Sequence, residues 1–240
     1  MLNWLFPITC RLCGEAAERT LCKDCLAALP RVPKPICLYC GAPVAGEQTD
    51  AYHCAACSGK LRPFDSARSA LIANDETMAL IHDLKYHHAS HLGAALAPAL
   101  VELWQHSPEL EAYKHGAMVP VPISRLHLRR RQYNQAEELA IPLAKMLGMK
   151  MIQPLLRHET NVDSQTHLSA GERLKNARLS YRPKPVYAAG KKKLPSHLVL
   201  VDDVYTTGAT VRACAAALKQ LEGVKHVAVL TLLRVENRAR

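Results

Sequence analysis

Residues 199–210 read VLVDDVYTTGAT, an apolar run that ends in two adjacent carboxylates and a short loop of threonines around one glycine. The uninterrupted run from His197 to Val201 is typical of a strand covered on both faces, as in a parallel sheet. From Thr210 onward, apolar residues recur at helical spacing until Gly223, and a second apolar run follows. This order of strand, loop, helix and strand predicts a βαβ unit, with the loop at the carboxyl end of its first strand.

The loop contains the groups that bind a phosphate. Glycine permits close backbone approach, and the amides at a helix start carry partial positive charge. Two carboxylates beside it would repel a phosphate, but they accept hydrogen bonds from vicinal hydroxyls or hold Mg²⁺ through water. We therefore expect a sugar phosphate, held by Asp202, Asp203, Thr206, Thr207, Gly208, Ala209 and Thr210. The simpler alternative is that the acidic pair caps a turn and the threonines only begin a helix.

Eight of the nine cysteines form four Cys-x-x-Cys pairs, namely Cys10 with Cys13, Cys22 with Cys25, Cys37 with Cys40, and Cys54 with Cys57. In a reducing compartment this spacing indicates metal binding rather than disulfides. Each pair directs two thiolates at one tetrahedral ion, so the four pairs predict two structural zinc sites. The ligands are grouped either sequentially, with the first four on one ion, or in an interleaved pattern. Redox pairs are disfavoured, because four regular pairs in a loop-rich segment do not resemble one pair on a helix.

The cysteine-rich segment has few large apolar side chains, so it needs zinc to become ordered. The whole chain has 240 residues and 49% apolar content, enough for a full α/β core as well. We place a zinc module at residues 1–62 and an α/β domain at residues 63–240. No stretch approaches the roughly 20 apolar residues of a membrane span. The N-terminus also lacks the features of a signal peptide, and we expect a cytoplasmic protein.

The second domain alternates between strand and helix patterns. Strands are predicted at 67–73 and 117–123, and helices at 75–86, 92–103 and 136–147. This order predicts a doubly wound, mainly parallel sheet. The formal net charge is +10, and two zinc-tetrathiolate centres would leave about +6. The basic excess favours anionic partners, either polyphosphate or nucleic acid.

Three segments resemble known families. The acidic pair and the loop T-T-G-x-T resemble the PRPP-binding signature of type I phosphoribosyltransferases. Residues 119–140, VPVPISRLHLRRRQYNQAEELA, and residues 164–177, SQTHLSAGERLKNA, resemble two segments of the ComF/GntX family. The cysteine module agrees, and the chain is identified as a member of that family. Its proteins have a double zinc ribbon and a phosphoribosyltransferase domain, and they are associated with DNA uptake and use in natural competence. We place one departure from the pattern at Arg131, where the family usually has glycine.

The resemblance implies roles for further residues. Asp202 and Asp203 would contact the ribose hydroxyls of PRPP, which binds with Mg²⁺, and the loop would hold the 5-phosphate. The strand at 117–122 leads into an arginine-rich segment, where the fold places a second anion site for pyrophosphate. Its candidate ligands are Lys85, Ser124, Arg125, Arg129 and Arg130, although arginines at a helix entry are often only solvated. A lid over the site would include Arg157, Gln165 and Arg173.

Three functions fit the sequence. The first is a phosphoribosyltransferase with an unknown acceptor, in which a nitrogen nucleophile attacks C1 of PRPP and releases pyrophosphate. The second is an adaptor that binds single-stranded DNA, or a protein partner through its zinc module. The third is a PRPP sensor without turnover. The sequence identifies neither a general base nor a region that would cover the acceptor, so it does not rank catalysis above sensing.

Overall fold

The computed structural model describes residues 8–44, 52–58, 63–87, 89–159, 180–190 and 192–236. In chain order its elements are α1 (Lys23–Ala28), β1 (Ser66–Ile72), α2 (Asp75–Tyr86), α3 (His91–Gln105), a 3₁₀ helix (Pro108–Tyr113), β2 (Ala117–Pro120), α4 (Arg125–Arg131), α5 (Gln135–Met146), β3 (Lys150–Met151), β4 (Leu156–His158), β5 (Tyr181–Pro183), α6 (Pro185–Ala188), β6 (His197–Tyr205), α7 (Ala209–Leu218) and β7 (His226–Arg234).

A five-stranded sheet organises the second part of the chain. Its strand order is β1-β7-β6-β2-β3, and every pairing in it is parallel. The predicted α/β class and parallel sheet are therefore confirmed. β6 and β2 are neighbours in the centre of the sheet. The strand that follows β6 in the chain, β7, lies on the outer side of β6, whereas the strand that follows β2, β3, lies on the outer side of β2. The chain thus changes direction between β2 and β6, and ligands of such sheets bind beyond the carboxyl ends of the strands at this point.

Helices cover both faces of the sheet, which explains the uninterrupted apolar sequence of β6. Val199 and Val201 pack with α2, α3 and α5 on one face. Leu198 and Leu200 pack with α7 and the β4–β5 pair on the other face. Side chains along a strand alternate between faces, so a strand buried on both sides has no polar position in its centre.

β6 is longer than the sequence pattern predicts. The apolar run ends at Val201, but Asp202 pairs with Thr231 of β7, and the pairing continues to Tyr205. The acidic pair therefore belongs to the strand, and the loop that we expected from Asp203 is shorter. The reason is tertiary, because the hydrogen bonds of the neighbouring strand keep the backbone extended beyond the apolar residues.

The cysteine-rich segment covers the free edge of β1. Arg31 forms an antiparallel bridge with Leu71, and the amide of Ala67 donates to the carbonyl of Tyr39 at 2.7 Å. Cys10 belongs to the core on one face of the sheet, and Cys40 belongs to the core on the other. The segment thus straddles the sheet edge and satisfies backbone groups that would otherwise be open to another strand.

Ion pairs join this segment to the helices of the second part. Arg31 pairs with Glu102 on α3 at 2.7 Å. Arg11 pairs with the buried carboxylate of Asp83 on α2. The boundary that we placed between residues 62 and 63 stays a prediction, because residues 59–62 lie outside the described ranges. Within those ranges, no helix combines the length and the apolar character needed to cross a membrane.

Replacing Gly93 by Ala tests the close packing of α3 on α5. A Cβ at Gly93 would lie 2.3 Å from the backbone oxygen of Glu138, so the helices must separate. We expect a loss of about 1–3 kcal/mol, or roughly 3–10 °C in melting temperature. Gly148→Ala is the control: it has no neighbour within 4 Å, although its φ of +64° is strained for alanine. Equal melting temperatures for Gly93→Ala and the wild type, measured by calorimetry, would contradict this packing.

Candidate functional site

The eight paired cysteines form two compact clusters. One cluster is Cys10, Cys13, Cys22 and Cys25, and the other is Cys37, Cys40, Cys54 and Cys57; within each, the sulfurs lie within 4.8 Å of one another. The sequential grouping is therefore the one that the fold adopts. Cys13 and Cys22 have sulfurs 4.0 Å apart, and those of Cys40 and Cys54 are 3.7 Å apart. Tetrahedral zinc with bonds of about 2.3 Å requires a spacing near 3.8 Å, so both clusters fit structural zinc.

Backbone amides favour thiolates in both clusters. The amide of Cys22 donates to the sulfur of Cys10 at 3.4 Å, and the amide of Cys54 donates to that of Cys37 at 3.3 Å. Burial opposes ionisation of Cys10, but the surrounding amides lower its pKa to about 6. Its neighbour Cys25 has a raised pKa, first because of its hydrogen bond with Cys22. Ionising all four sulfurs together thus requires a cation, and zinc supplies that charge.

A cleft of about 380 Å³ opens at the carboxyl ends of β2 and β6. Its walls come from the segment after β2, the start of α4, the β4–β5 pair and the end of β6. This is the point at which the chain changes direction across the sheet, where ligands of parallel sheets bind. A larger cleft of about 740 Å³ lies between residues 31–41 and α3. Its main charges already pair with one another, as Arg68 does with Glu109.

Asp202 and Asp203 both line the smaller cleft, although only 7% and 5% of their surfaces are exposed. The ammonium of Lys85 lies 2.6 Å from Asp203 Oδ2. The amide of Asp203 donates to Asp202 Oδ1 at 2.9 Å. Burial, followed by the charge of Asp203, raises the pKa of Asp202 well above its usual range. A ligand that brings a cation or hydroxyl donors to this pair would restore the ionised form.

The loop after β6 presents an open helix terminus to the cleft. Gly208 has φ of +71° and precedes α7, and no side chain caps it at this N-cap position. Thr206 and Thr210 line the cleft. The exposed Thr207 accepts from the amide of Ala209 at 3.4 Å. The expected loop residues therefore adopt the strand, loop and helix arrangement that binds anions through backbone amides.

The structure brings only part of the expected pyrophosphate side into the cleft. Lys85 and Ser124 line it, and the Ser124 hydroxyl also caps α4 by accepting from the His127 amide at 3.2 Å. The remaining candidates on α4 are exposed and do not line the described cleft; they are Arg125, Arg129 and Arg130. Their role as ligands stays a prediction.

Of the expected lid, only Arg157 can be described. It lies on β4, is exposed, and pairs with Glu159 at 2.8 Å. The same glutamate pairs with Arg182 on β5 at 2.8 Å, so it joins the two strands. Gln165 and Arg173 lie outside the described residues.

The backbone conformation that favours glycine lies one residue after Arg131, the position at which we placed the departure from the family pattern. Arg131 is helical and 8% exposed, with its guanidinium 5.1 Å from the centre of the Tyr86 ring. The left-handed residue is Gln132, at φ of +66°. Glycine favours this conformation, so Gln132 occupies the site where glycine would relieve backbone strain.

Five polar cleft residues were not assigned to the site from the sequence: His127, Asn134, Gln135, His158 and Tyr181. The His158 ring packs edge-on against Tyr181, with centroids 4.9 Å apart, and the Tyr181 hydroxyl hydrogen-bonds with Thr210. His158 Nδ1 and Gln135 Oε1 are buried without a hydrogen-bond partner among the described residues. Burial, and then the nearby His127, lowers the pKa of His158, which favours its neutral form. Their dispersal along the chain left no motif to detect.

His82, Asp83 and His87 form a third group with ligand atoms within 4.8 Å. Asp83 already binds Arg11 through one oxygen and His87, at 2.6 Å, through the other. This arrangement is an ion-pair network that attaches the first cysteine cluster to α2.

The fold and the two cysteine clusters define the class of the protein: a zinc-ribbon protein with a phosphoribosyltransferase-like α/β domain. Residues 1–58 match the family model of the double zinc ribbon domain. DNA utilization protein YhgH of Salmonella typhimurium is 32% identical over 238 residues, which cover 97% of this chain and 96% of the relative. The chain therefore belongs to the family of these proteins, the ComF/GntX family.

Two further relatives span similar lengths. Competence protein F of Haemophilus influenzae is 28% identical over 231 residues, covering 95% of this chain and 96% of its own. Competence protein ComFC of Bacillus subtilis is 26% identical over 223 residues, covering 90% and 85%. The similarity thus extends through both the cysteine module and the α/β domain.

Asp202→Asn should raise stability in a way that grows with pH. The pKa of Asp202 is raised in the folded protein, so the folded state retains a proton that the unfolded state loses above pH ~4. Wild-type stability therefore falls as pH rises through that interval, and the asparagine removes this loss. We expect the difference in melting temperature between variant and wild type to increase from pH 5 to pH 8.

Asp203→Asn is the matched control, because it breaks the ion pair with Lys85 and should lower the melting temperature instead. Comparing each variant with the wild type at the same pH cancels the pH dependence of the zinc clusters. Equal decreases for both variants would contradict the assignment of the raised pKa to Asp202.

Proposed function

We propose that this protein binds PRPP with Mg²⁺ in the cleft between β2 and β6, and transfers its phosphoribosyl group to a nitrogen nucleophile. One observation carries the proposal: a buried acidic pair and an uncapped helix terminus face the same cleft. A phosphate and a polyhydroxyl group on one ligand are complementary to this combination.

The 5-phosphate binds at the open end of α7. Gly208 has no side chain to cap α7, and Thr207 makes only a long bond of 3.4 Å with the Ala209 amide. The residues Thr206 and Thr210 line the same cleft. Helix termini with free amides favour anions through both hydrogen bonds and the helix dipole. This end of the cleft provides the attraction for a monoester phosphate.

The ribose hydroxyls and Mg²⁺ bind at the acidic pair. Hydroxyl donors and a hard cation both stabilise ionised carboxylates, which offsets the raised pKa of Asp202. Lys85 balances Asp203 in the absence of ligand, at 2.6 Å. Because its ammonium lies within the cleft, Lys85 also provides the positive charge nearest to the position expected for pyrophosphate. Mg²⁺ would add charge stabilisation of the departing pyrophosphate.

The acceptor binds against the β4–β5 pair. Tyr181 and His158 form its wall, and Gln135 Oε1 and His158 Nδ1 are buried atoms available for hydrogen bonds. In the transfer, the acceptor nitrogen forms a bond to C1 while the bond from C1 to pyrophosphate breaks. Neutral His158 accepts the proton that the nitrogen loses. His158 is thus the candidate general base.

The relatives suggest the process in which this chemistry is used. Two of them are named competence proteins, and another is named a DNA utilization protein. We extend this role to the present chain, and propose that its phosphoribosyl chemistry supports the uptake or use of DNA. A nitrogen acceptor agrees with this role, since the breakdown of nucleic acids releases nitrogen heterocycles.

Calorimetry of the full chain with Mg²⁺ and PRPP tests the binding step. We expect micromolar binding by the wild type, at least a 10-fold loss for Lys85→Met, and no detectable binding for Asp202→Ala/Asp203→Ala. The matched control is Lys145→Met, which removes an exposed lysine outside the cleft. A wild-type protein that does not bind PRPP would refute the proposed site.

Release of pyrophosphate distinguishes turnover from sensing. With a panel of nucleobases, His158→Gln should retain PRPP affinity but lose at least 10-fold in the rate of pyrophosphate release, because it keeps a polar group but not a base. Binding of PRPP by the wild type without pyrophosphate release for any acceptor would support the sensor and exclude the transferase for that panel.

Binding of single-stranded DNA is the second candidate function, and the exposed arginines of α4 favour it. Arg125, Arg129 and Arg130 are exposed and are not among the residues that line the cleft, so they are accessible to a phosphate backbone. We expect Arg129→Gln/Arg130→Gln to weaken binding of a labelled oligonucleotide and to reduce its salt dependence. Fluorescence anisotropy measures this effect, and equal affinities for variant and wild type would exclude α4 as the contact.

A further inference from the structure

We infer that Arg234 is a positioning residue, which couples the second cysteine cluster to the anion-binding loop at residues 206–208. The second cluster comprises Cys37, Cys40, Cys54 and Cys57. The identity of the anion rests on the proposed function, whereas the coupling between the cluster and the loop does not.

Arg234 is held between the cluster and the sheet. It is the last residue of β7, and only 4% of its surface is exposed. Its Nη2 donates a hydrogen bond to the backbone carbonyl of Cys40. A guanidinium is always charged, so its burial requires nearby negative charge or other compensation. A zinc-tetrathiolate centre carries a net charge of −2 and supplies that compensation.

The guanidinium also lies over the ring of Tyr205. The guanidinium carbon of Arg234 lies 4.3 Å from the centre of the Tyr205 ring. The two residues are neighbours in the pairing of β6 with β7, and Tyr205 is 5% exposed. Such a buried cation–π contact stabilises the ring in one orientation. The arginine therefore determines where the tyrosine hydroxyl lies.

That hydroxyl supports the loop directly. A Cβ built on Gly208 would lie 2.3 Å from the Tyr205 oxygen, so the backbone of Gly208 packs on the end of this side chain. Gly208 is also the N-cap residue from which α7 begins. The position of Tyr205 thus sets the position of the amides that would bind the anion.

These contacts form a continuous path from the Cys40 carbonyl through Arg234 and Tyr205 to Gly208. Closely packed side chains transmit a displacement rather than absorb it. Without zinc, the four sulfurs would take up protons, so the negative charge beside Arg234 would fall. The Cys40 backbone would also be released, so that the tyrosine and the loop lose their fixed positions. By thermodynamic reciprocity, an anion bound in the loop should also increase zinc retention by the second cluster.

Hydrogen exchange of the full zinc-loaded chain tests the coupling without any ligand. Arg234→Met removes the charge and the hydrogen bond but retains much of the side-chain volume. Amides at the start of α7 that lack a hydrogen bond already exchange fast, so the readout is the Arg212 amide, which donates to the Gly208 carbonyl at 3.0 Å. We expect this amide to exchange at least 10-fold faster in the variant, with an intermediate effect in Arg234→Lys. Arg31→Met is the matched control, because Arg31 also joins the cysteine module to the second part but contacts α3 through Glu102. It should leave exchange of the Arg212 amide unchanged.

Tyr205→Phe provides a second variant in case Arg234→Met does not fold. It keeps the ring that Arg234 contacts and removes only the oxygen beside Gly208. Faster exchange of the Arg212 amide with two zinc ions per chain, measured by elemental analysis, would support the coupling. Wild-type exchange in this variant and in any folded Arg234 variant would overturn it.

Zinc release to a chelator tests reciprocity and separates this inference from the proposed function. We expect Mg²⁺ and PRPP to slow release of one of the two zinc ions in the wild type, and to have no such effect in Arg234→Met. If the wild type does not bind PRPP, the proposed function fails, but exchange of the Arg212 amide still decides the coupling. If it binds PRPP and the Arg234 variants show wild-type exchange of this amide, the coupling fails alone.

Discussion

Four thiols gathered within 4.8 Å cannot all ionise unless a cation lies among them. This constraint applies to both cysteine clusters of the N-terminal module. Its single short helix among the described residues, α1, buries none of its side chains. Apolar packing within the module therefore cannot order it, and metal binding provides the missing free energy. The cysteines then join the two cores of the neighbouring sheet, so that metal binding and hydrophobic packing become one cooperative structure.

The cleft shows the opposite balance, because ionisation of the buried Asp202 reduces stability in the absence of ligand. Burial raises the pKa of Asp202, and Lys85 compensates only its neighbour Asp203 by direct contact. An apolar pair at this position would pack well at the end of a central strand. The retained carboxylates are therefore better explained by a ligand than by folding. Burial also lowers the pKa of His158 in the same cleft and so favours its neutral form, which can accept a proton.

Much of the fold could be predicted because local patterns and tertiary environment agree. β6 is apolar throughout its centre since helices cover both faces, and α2 begins and ends where its acidic start and its last apolar residues predict. The cysteine spacing predicted two zinc sites, but two groupings were consistent with it, and only the fold brings the four sulfurs of each cluster together. The end of β6 was placed too early, because pairing with β7 extends it through polar residues.

The candidate site was predictable only where its residues are adjacent in sequence. The acidic pair and the loop belong to one short motif, whereas His158, Tyr181 and Gln135 come from three separate elements. The contact of Arg234 with Cys40 joins residues separated by 194 positions, and no local pattern indicates it. Arg125, Arg129 and Arg130 were expected at the site because they follow β2, and the helix that carries them exposes all three outside the described lining of the cleft.

The cover that the cysteine module forms over β1 has a consequence for dissection of the molecule. A fragment starting at Ser66 would lose the bridge between Arg31 and Leu71 and leave an edge strand whose outer amides and carbonyls have no partner. Such a margin recruits the same strand of another copy. The α/β unit therefore depends on the cysteine module, and we expect it to assemble into polymers through this edge when the module is removed.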